Sequence, residues 1–324
     1  MTRLRIGTRG SQLALWQARA VAAAIEESGG PSSEIIVITT SGDRISQAPL
    51  AQVGGKRLFV KEIEDALLDD RIDLAVHSAK DMPAALPDGL AIGAVLPRED
   101  PRDAIVLGAG HPSAATDLDA LVAALPPDPR IATGSVRRVA QLKRLLPRAT
   151  FEPIRGNLDT RLRRLARGDA DALALAVAGL RRLGVSDRIS VILPVDACVP
   201  APGQGIVAIE VRVEDARSRT PLDPITHVAT AAALEAERAA VAALGGGCQV
   251  PLGAVALPIG QELELYAVVV SLDGTRAVRA RARMRADDPA RLGAEVARRL
   301  IEDGAREILD DVHRAMAPVE GIQP

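Results

Sequence analysis

Cys248 lies in a loop composed mostly of small residues, an unusual setting for a thiol. Glycines 245–247 come directly before it, and Gln249, Val250 and Pro251 follow. Glycine adopts positive φ values that other residues avoid, and three glycines remove side-chain cover on the N-terminal side of the sulfur. Cysteine is normally a small buried hydrophobe whose reactivity depends on exposure and thiolate character. The pattern predicts a presented thiol to which a group is attached or on which one is made.

A second candidate site follows an almost wholly apolar segment, 72–78, which reads as a buried parallel strand. Ser78, Lys80 and Asp81 stand at its carboxyl end, where open α/β sheets bind their ligands. These three side chains are therefore expected to face a cleft. An ordinary polar turn is the alternative interpretation of the same segment. His77, on the apolar strand, is predicted to be a packed core histidine.

Three further strand-to-helix junctions combine a hydroxyl or amide side chain with arginine, at 8–11, 133–138 and 154–161. The N terminus of a helix offers unpaired N–H groups, and a guanidinium matches a carboxylate or phosphate bidentately. The junctions therefore predict binding of an anionic ligand. Because the chain has 36 arginines and only four lysines, a set of solvated arginines is the alternative for any one of them.

Composition limits the possible function classes. The 324 residues carry a net charge of −2, and only 1% are aromatic, which argues against nucleic acid or an anionic membrane as the partner. No apolar run is long enough for a bilayer, and the N terminus lacks the apolar region of an export signal. Two cysteines cannot form a disulfide framework, so the reducing cytoplasm is the expected location. Four scattered histidines show no metal-ligand spacing, and no metal is expected.

The elements that position these residues fall into two successive runs of alternating strand and helix, followed by a different third part. The runs predict two α/β domains flanking a cleft, and the last third predicts a small α+β domain. A strand at 206–211, after a Pro/Gly break, is expected to return to the first domain. The predicted boundaries are 1–101 with 201–222 for domain 1, 102–200 for domain 2 and 223–324 for domain 3.

The predicted elements within these parts follow from apolar periodicity and from capping residues. Strands are predicted at 4–8, 35–40, 72–78, 104–107, 130–135, 151–154, 172–177, 206–211, 263–271 and 277–284. Helices are predicted from an N-cap at Ser11, and at 58–70, 117–125, 136–146, 159–167, 223–244, 289–303 and 305–315.

Eight segments in order resemble the porphobilinogen deaminase family, also called hydroxymethylbilane synthase, over nearly the whole chain. They are 7–15, 53–62, 77–83, 98–104, 135–138, 155–157, 202–205 and 246–251. The resemblance implies two domains similar to periplasmic binding proteins and a third that carries the cysteine. It implies a monomer that joins four porphobilinogen molecules head to tail with release of ammonia and final hydrolysis. The product would be 1-hydroxymethylbilane for haem biosynthesis, built by adding azafulvenium units to a dipyrromethane cofactor.

The same resemblance implies roles for individual residues. Cys248 would hold the dipyrromethane through a thioether, and Asp81 would be catalytic, accepting hydrogen bonds from pyrrole N–H groups as positive charge forms. The cofactor would contact Ser78, Lys80, Asp81, Thr133, Ser135, Arg137, Arg138, Arg155 and Gly156. Porphobilinogen would contact Arg9, Ser11, Lys56, Phe59, Lys61, Arg155, Arg161, Arg182 and Gln204.

A two-lobed protein that closes on an anionic ligand without catalysis is the main alternative. It accounts for the repeated strand–helix runs and the arginine junctions, but not for a third domain that presents a cysteine among glycines. A nucleic-acid-binding protein is a weaker alternative, which rests on arginine clusters such as Arg161, Arg163, Arg164 and Arg167.

Overall fold

A computed structural model describes residues 3–44, 60–108, 117–245 and 250–316. Three of the predicted site residues, Cys248, Lys56 and Phe59, lie outside the described residues. Within them the chain builds two five-stranded sheets and one three-stranded sheet.

The first sheet has the strand order β2-β1-β3-β10-β4. Its strands are β1 (Leu4–Thr8), β2 (Ser33–Val37), β3 (Leu74–Ser78), β4 (Leu90–Val95) and β10 (Val207–Arg212). Its helices are α1 (Gln12–Glu27), α2 (Ser41–Arg44), α3 (Lys61–Leu68) and α8 (Ala216–Arg219). Strands β2, β1 and β3 are parallel, and β10 runs antiparallel to both β3 and β4. Val76 packs with α1 and Ala75 with α3, so helices cover both faces of the sheet.

The second sheet repeats this arrangement with the order β7-β6-β8-β5-β9. Its strands are β5 (Asp103–Leu107), β6 (Arg130–Ala132), β7 (Thr150–Glu152), β8 (Ala172–Ala176) and β9 (Val191–Ile192). Its helices are α4 (Leu118–Ala124), α5 (Val136–Leu145), α6 (Leu158–Ala166) and α7 (Val177–Arg182). Here β5 is the antiparallel strand, paired with β8 and β9.

Two crossing segments connect the sheets. The chain leaves the first sheet through 96–102 and returns to it through 193–206. The segments hydrogen-bond to each other, from Glu99 N to Gly205 O at 3.0 Å and from Leu96 N to Val207 O at 3.1 Å. Gly205 has φ +87°, and a Cβ there would stand 2.3 Å from the Glu99 carbonyl oxygen. Glycine at 205 is thus required for the two segments to lie this close.

The third part packs an antiparallel sheet against helices. Its elements are α9 (Val228–Ala243), β11 (Leu252–Ile259), β12 (Glu262–Val270), β13 (Ala277–Arg285), α10 (Pro289–Glu302) and α11 (Ala305–Met316). Alanines supply much of the core where aromatic residues are scarce. A Cβ at Gly293 of α10 would lie 2.4 Å from the Ala236 carbonyl oxygen of α9, so small residues bring these two helices unusually close.

The predicted fold class, two α/β parts and a small α+β part, is confirmed, as is the return of strand 206–211 to the first sheet. The prediction of one helix over 223–244 is wrong at its start. Residues Thr220–Ile225 form a 3₁₀ segment that contains Pro224, and α9 begins only at Val228. The predicted strand at 35–40 lies two residues earlier, at Ser33–Val37. Three strands, β4, β9 and β11, and three helices, α2, α7 and α8, were not predicted. The domain boundaries given above remain our proposal.

Candidate active-site crevice

The turn that follows β3 carries the predicted catalytic residue. Strand β3 ends at Ser78, and Ala79–Asp81 form a single 3₁₀ turn. Ala79 is buried, and its N–H donates to the Ile206 carbonyl at 3.0 Å. That hydrogen bond fixes the turn to the returning segment. The turn therefore projects Lys80 and Asp81 from the carboxyl edge of the sheet.

A cavity of about 70 Å³ lies beside this turn. Among its lining residues are Arg9, Ser11, Gln17, His77, Ser78 and Asp81. Ser11 also caps α1, since its hydroxyl accepts from Ala14 N at 3.3 Å. The predicted residues Arg9, Ser11, Ser78 and Asp81 are thus brought to one place by the carboxyl ends of two parallel strands.

Gln17 belongs to this site and was not predicted. Its side chain is 2% exposed, and its Nε2 donates to the Ser78 hydroxyl at 2.8 Å. Gln17 lies on the buried face of α1, one turn before Val21. A polar residue at an apolar position of a helix was the signal available in the sequence. Its amide orients Ser78 toward the cavity.

His77 also lines the cavity although it is buried in the sheet. Its Nε2 lies 3.0 Å from Glu210 Oε2, on the antiparallel strand β10. The prediction of a packed core histidine agrees with this burial, but it missed the carboxylate partner. Among the described residues, no group of three His, Cys, Asp or Glu side chains is arranged to hold a metal ion.

Lys80 is partly buried, and its ammonium donates to Gln204 Oε1 at 3.4 Å. Burial lowers the pKa of Lys80 to about 8; the charge of Asp81 opposes this shift, and that of Arg138 adds to it. Burial removes water from around the Lys80 ammonium, which has little opposite charge near it, so a bound anion would stabilise it.

Arg137 and Arg138 begin α5 in the second sheet and are both buried, and both contact Asp103. Arg137 Nη1 lies 2.7 Å from one oxygen of Asp103, and Arg138 Nε lies 2.9 Å from the other. Burial raises the pKa of Asp103, but the two guanidiniums outweigh burial and hold that pKa below its usual range. Two cations share one carboxylate, so this cluster keeps a net positive charge. Asp103 was not predicted, because 34 residues separate it from Arg137.

Thr133 and Ser135 lie at the start of the same helix. Ser135 caps α5 by accepting from Arg138 N at 3.4 Å, and Ser135 N donates to the Thr133 hydroxyl at 3.4 Å. Cys198 lies next to this cluster, 3.4 Å from Asp103 Oδ2. Burial raises the pKa of the Cys198 thiol to about 12. That thiol is therefore protonated at neutral pH and unreactive.

Gln204 has contacts that differ from those predicted for a substrate ligand. It is 1% exposed, and its amide spans both α/β parts. The Oε1 atom lies 3.4 Å from both Lys80 Nζ and Arg138 Nη2, while Nε2 donates to Pro101 O at 2.6 Å and to Asp103 at 2.9 Å. These contacts make Gln204 a bridge that holds the cationic side chains in place.

The junction after β7 supplies another cation. Asn157 caps α6, and Arg161 Nε donates to the Gly156 carbonyl at 3.0 Å. Burial lowers the pKa of Arg161 to about 10, with a further lowering from Arg138 and an opposing effect from Asp81. Arg161 therefore lies within electrostatic range of Asp81, although it belongs to the other sheet. Arg155 is partly buried on the loop before α6.

Two predicted substrate ligands lie farther out. Arg182, at the end of α7, donates to the Gly205 carbonyl at 2.7 Å, and its guanidinium carbon lies 5.4 Å from the centre of the Trp16 ring. Lys61 is 65% exposed and forms an ion pair with Asp65 at 3.7 Å along its own helix. Lys61 does not line the cavity beside Asp81.

The arrangement suits an anionic ligand. Lys80 and Arg138 both contact Gln204, and the charge of Asp81 opposes the lowering of the pKa of Lys80 and of Arg161. Cations from both sheets therefore gather in one region. Folding of the two sheets does not require cations to gather here, because a buried cation without a full ion pair costs free energy. The crevice therefore favours a bound polyanion.

Comparison with known proteins identifies a family for nearly the whole chain. The family model "Porphobilinogen deaminase, dipyromethane cofactor binding domain" matches residues 4–220, and "Porphobilinogen deaminase, C-terminal domain" matches residues 231–302. Porphobilinogen deaminase of Acidithiobacillus ferrooxidans is 47% identical over 96% of this chain and 99% of its own length. That of Syntrophobacter fumaroxidans is 46% identical over 96% of this chain and 98% of its own length.

Solved structures give weaker similarities. Immunogenic lipoprotein A from Vibrio vulnificus covers 70% of this chain and 96% of its own, with 13% identity and a TM-score of 0.43. A similarity at this level supports no statement about a ligand or an activity. In the part of the chain that the structure describes, no helix has the length and apolar character that a membrane span requires.

Proposed function

Because this chain belongs to the porphobilinogen deaminase family, we propose that it joins four porphobilinogen molecules head to tail into 1-hydroxymethylbilane. Each condensation releases one ammonia, and one water ends the chain. Family membership makes the protein a transferase of tetrapyrrole biosynthesis with a dipyrromethane-binding domain, which sets aside a binding protein without catalysis. The head-to-tail mechanism and the roles of single residues are the proposed part.

One observation carries this proposal. Lys80, on the turn of the first sheet that carries Asp81, and Arg138, on the second sheet, both lie 3.4 Å from Gln204 Oε1. The charge of Asp81 also acts on both Lys80 and Arg161. Porphobilinogen and every pyrrole made from it carry an acetate and a propionate, while their pyrrole N–H and amine groups need an acceptor. Cations from both sheets around one carboxylate match that combination of charges.

The residues around the crevice also fit the dipyrromethane cofactor. It would contact Ser78, Lys80, Thr133, Ser135, Arg155 and Gly156, and Arg137 and Arg138 would add the positive field of their cluster with Asp103. The observation in favour is that Lys80 and Arg138, from different sheets, each lie 3.4 Å from the same amide oxygen of Gln204, which brings two cations together in the crevice. When bound through a thioether to Cys248, the cofactor supplies the pyrrole that receives the first substrate unit.

Substrate binding is proposed for cations at the edges of the same crevice. Arg9 and Ser11 line the cavity, and Arg161 and Arg182 approach from the second sheet. Losing one buried charge pair typically costs about 2–5 kcal/mol of binding. Lys56 and Phe59, outside the described residues, remain predicted ligands, as does Lys61. Gln204 is proposed to act indirectly, through Lys80 and Arg138.

Asp81 is the proposed catalytic residue. Loss of ammonia leaves a substrate cation, and a carboxylate held against the pyrrole N–H groups stabilises positive charge as it forms. Asp81 is exposed to the crevice, so it can reach those N–H groups. It can also pass a proton to the departing amine and accept one from the newly bonded carbon.

The test is the Asp81→Asn variant, with Asp88→Asn as the matched control. Asp88 is an exposed acid on the same loop and does not line the cavity. Ammonia release and tetrapyrrole formation from porphobilinogen are measured together. We expect Asp81→Asn to lose about 10²- to 10⁴-fold in kcat, the usual range for a proton-transfer group, and Asp88→Asn to behave as wild type. Near-normal turnover by Asp81→Asn would remove Asp81 from the mechanism, and no ammonia from wild type would overturn the function.

A further inference from the structure

Helices α1 and α7, which belong to different sheets, contact each other at the edge of the crevice. A Cβ placed on Gly179 of α7 would stand 3.7 Å from Leu13 Cδ2 of α1, an ordinary van der Waals distance. One turn along each helix, the Arg182 guanidinium carbon lies 5.4 Å from the centre of the Trp16 ring. Gly179 thus faces Leu13 across the contact, and Arg182 contacts Trp16 one turn further on.

Trp16 is not accounted for by packing. It is the only tryptophan of the chain, and 39% of its surface is exposed although it is a large apolar side chain. It belongs to none of the buried clusters among the described residues. An aromatic ring held half-exposed commonly serves recognition rather than folding.

Arg182 is held only by neutral groups among its described contacts. Its Nη2 donates to the Gly205 carbonyl at 2.7 Å, and its other contact is the Trp16 ring. The nearby carboxylate of Glu99 pairs instead with Arg181, at 2.8 Å. In the part of the chain that the structure describes, Arg182 has no ion pair. Burial lowers its pKa to about 10, and the charge of Glu99 partly opposes that shift. A guanidinium oriented by a carbonyl and a ring keeps its charge available.

We propose that Trp16 is a positioning residue, which holds Arg182 at the contact between α1 and α7 so that Arg182 can bind a carboxylate of the incoming porphobilinogen. This inference rests on the proposed function. A cation–π contact orients a guanidinium without neutralising it. An acidic residue at the same place would compete with the substrate carboxylate, whereas an aromatic ring does not.

The kinetic test uses Trp16→Phe, Trp16→Leu, Arg182→Gln and the Trp16→Leu/Arg182→Gln double variant, with Val122→Ala as an exposed apolar control on α4. Loss of a partly desolvated cation–π contact should raise KM for porphobilinogen about 3- to 30-fold in Trp16→Leu, with kcat changed by less than about twofold. Trp16→Phe should recover part of the loss, and the leucine change should have little further effect in the Arg182→Gln background. An unchanged KM in Trp16→Leu, or an equal effect in both backgrounds, would overturn the proposal.

A second readout separates this inference from the proposed function. Because Trp16 is the only tryptophan, its emission reports on this contact. Porphobilinogen is added to wild type and to Arg182→Gln while emission and ammonia are both recorded. A saturable change in wild type, absent from Arg182→Gln, supports the proposal even if no ammonia appears, in which case the proposed function fails alone. Ammonia release with unchanged emission overturns the positioning role and leaves the proposed function intact. The absence of both ammonia and an emission change overturns the positioning role and the proposed function together.

Discussion

Glu237 and Arg98 form a buried ion pair that joins the third part of the chain to the first crossing segment. Arg98 Nη1 lies 2.5 Å from Glu237 Oε1, and the carboxylate is fully buried. The same carboxylate accepts from Gly203 N at 2.6 Å and from Ala256 N at 2.7 Å. One side chain of α9 therefore ties together both crossing segments and the sheet of the cysteine-bearing part.

Removing that carboxylate should destabilise the protein strongly. Glu237→Gln leaves Arg98 buried without its counter-charge, and we expect the free energy of unfolding to fall by about 3 kcal/mol. Urea unfolding followed by circular dichroism measures the change. Glu235→Gln, on the exposed side of the same helix, is the control and should change stability by less than about 0.5 kcal/mol. Equal stability of the two variants would contradict the role given to the pair.

Gly203 should be required for activity because it touches the turn that carries the proposed catalytic residue, Asp81. Its φ is +74°, and a Cβ there would lie 2.9 Å from the backbone of Ala79 and Lys80. Gly203→Ala must therefore shift the turn that carries Lys80 and Asp81, and small displacements of catalytic groups cost on the order of 10²-fold in rate. Gly184→Ala is the matched control, since Gly184 has φ +70° with nothing within 4 Å.

We expect both glycine variants to lose about 1 kcal/mol or more of stability through backbone strain. Only Gly203→Ala should lose kcat in addition, measured by ammonia release at a temperature where both variants are folded. If the two variants lost activity equally, the contact with the turn would not be the cause.

Attachment of the cofactor should depend on Cys248 alone. The other cysteine, Cys198, is buried and has a pKa of about 12, so it is a poor nucleophile. Intact mass under denaturing conditions should show an excess of two linked pyrrole units on wild type and on Cys198→Ser. The excess should be absent from Cys248→Ser, also after incubation with porphobilinogen. An adduct on Cys248→Ser would place the attachment elsewhere.

The pH dependence of substrate binding should include a contribution from Lys80. Burial lowers its pKa to about 8 in the folded protein, from 10.5. As pH rises through 8 the folded protein loses this charge, so KM for porphobilinogen should increase above that pH. Lys80→Arg keeps its charge at all these pH values, and its KM should be flatter, although raised overall. A wild-type KM unchanged between pH 7 and 9 would contradict this assignment.

The lowered pKa of Lys80 also makes the free energy of unfolding depend on pH. Between pH 8 and 10.5 the unfolded chain binds more protons at Lys80 than the folded one does. This group alone therefore makes the free energy of unfolding rise with pH across that window. Comparing wild type with Lys80→Arg in urea at both ends of the window isolates its contribution.

The sequence predicted those elements whose residue pattern is complete within a short stretch of neighbouring residues. Strand β1, the Ser11 cap and the turn after β3 each follow from a few neighbouring residues, and the structure has them where they were expected. Strand β9 has only two residues, too few for any periodicity. Strand β4 contains Gly93, which packs against Val211 and Leu222, and a glycine weakens a strand pattern.

The sequence predicted which residue types form the site, but not which of them contact each other. The sequence indicated arginines at helix starts, yet it could not tell which of them face a ligand and which pair inside the protein. Arg138 pairs with Asp103 because of a strand order that no local pattern encodes. Gln204 joins Lys80 across 124 residues. Such partners depend on topology, so the sequence could not indicate that Gln204 contacts Lys80 and Arg138.

The strands of the second sheet, β5–β9, lie in the chain between β4 and β10 of the first sheet, and this affects folding during synthesis at the ribosome. The second sheet uses one continuous stretch of chain, whereas the first needs β10, and its His77 and Glu210 are 133 residues apart. During translation the later sheet can therefore finish before the earlier one. Until β10 emerges, the edge of β3 that carries His77 and Ser78 has no neighbour, and an open strand edge invites pairing with other chains. The turn that carries Asp81 is thus completed after the second sheet, on a strand whose edge stays unpaired until β10 emerges.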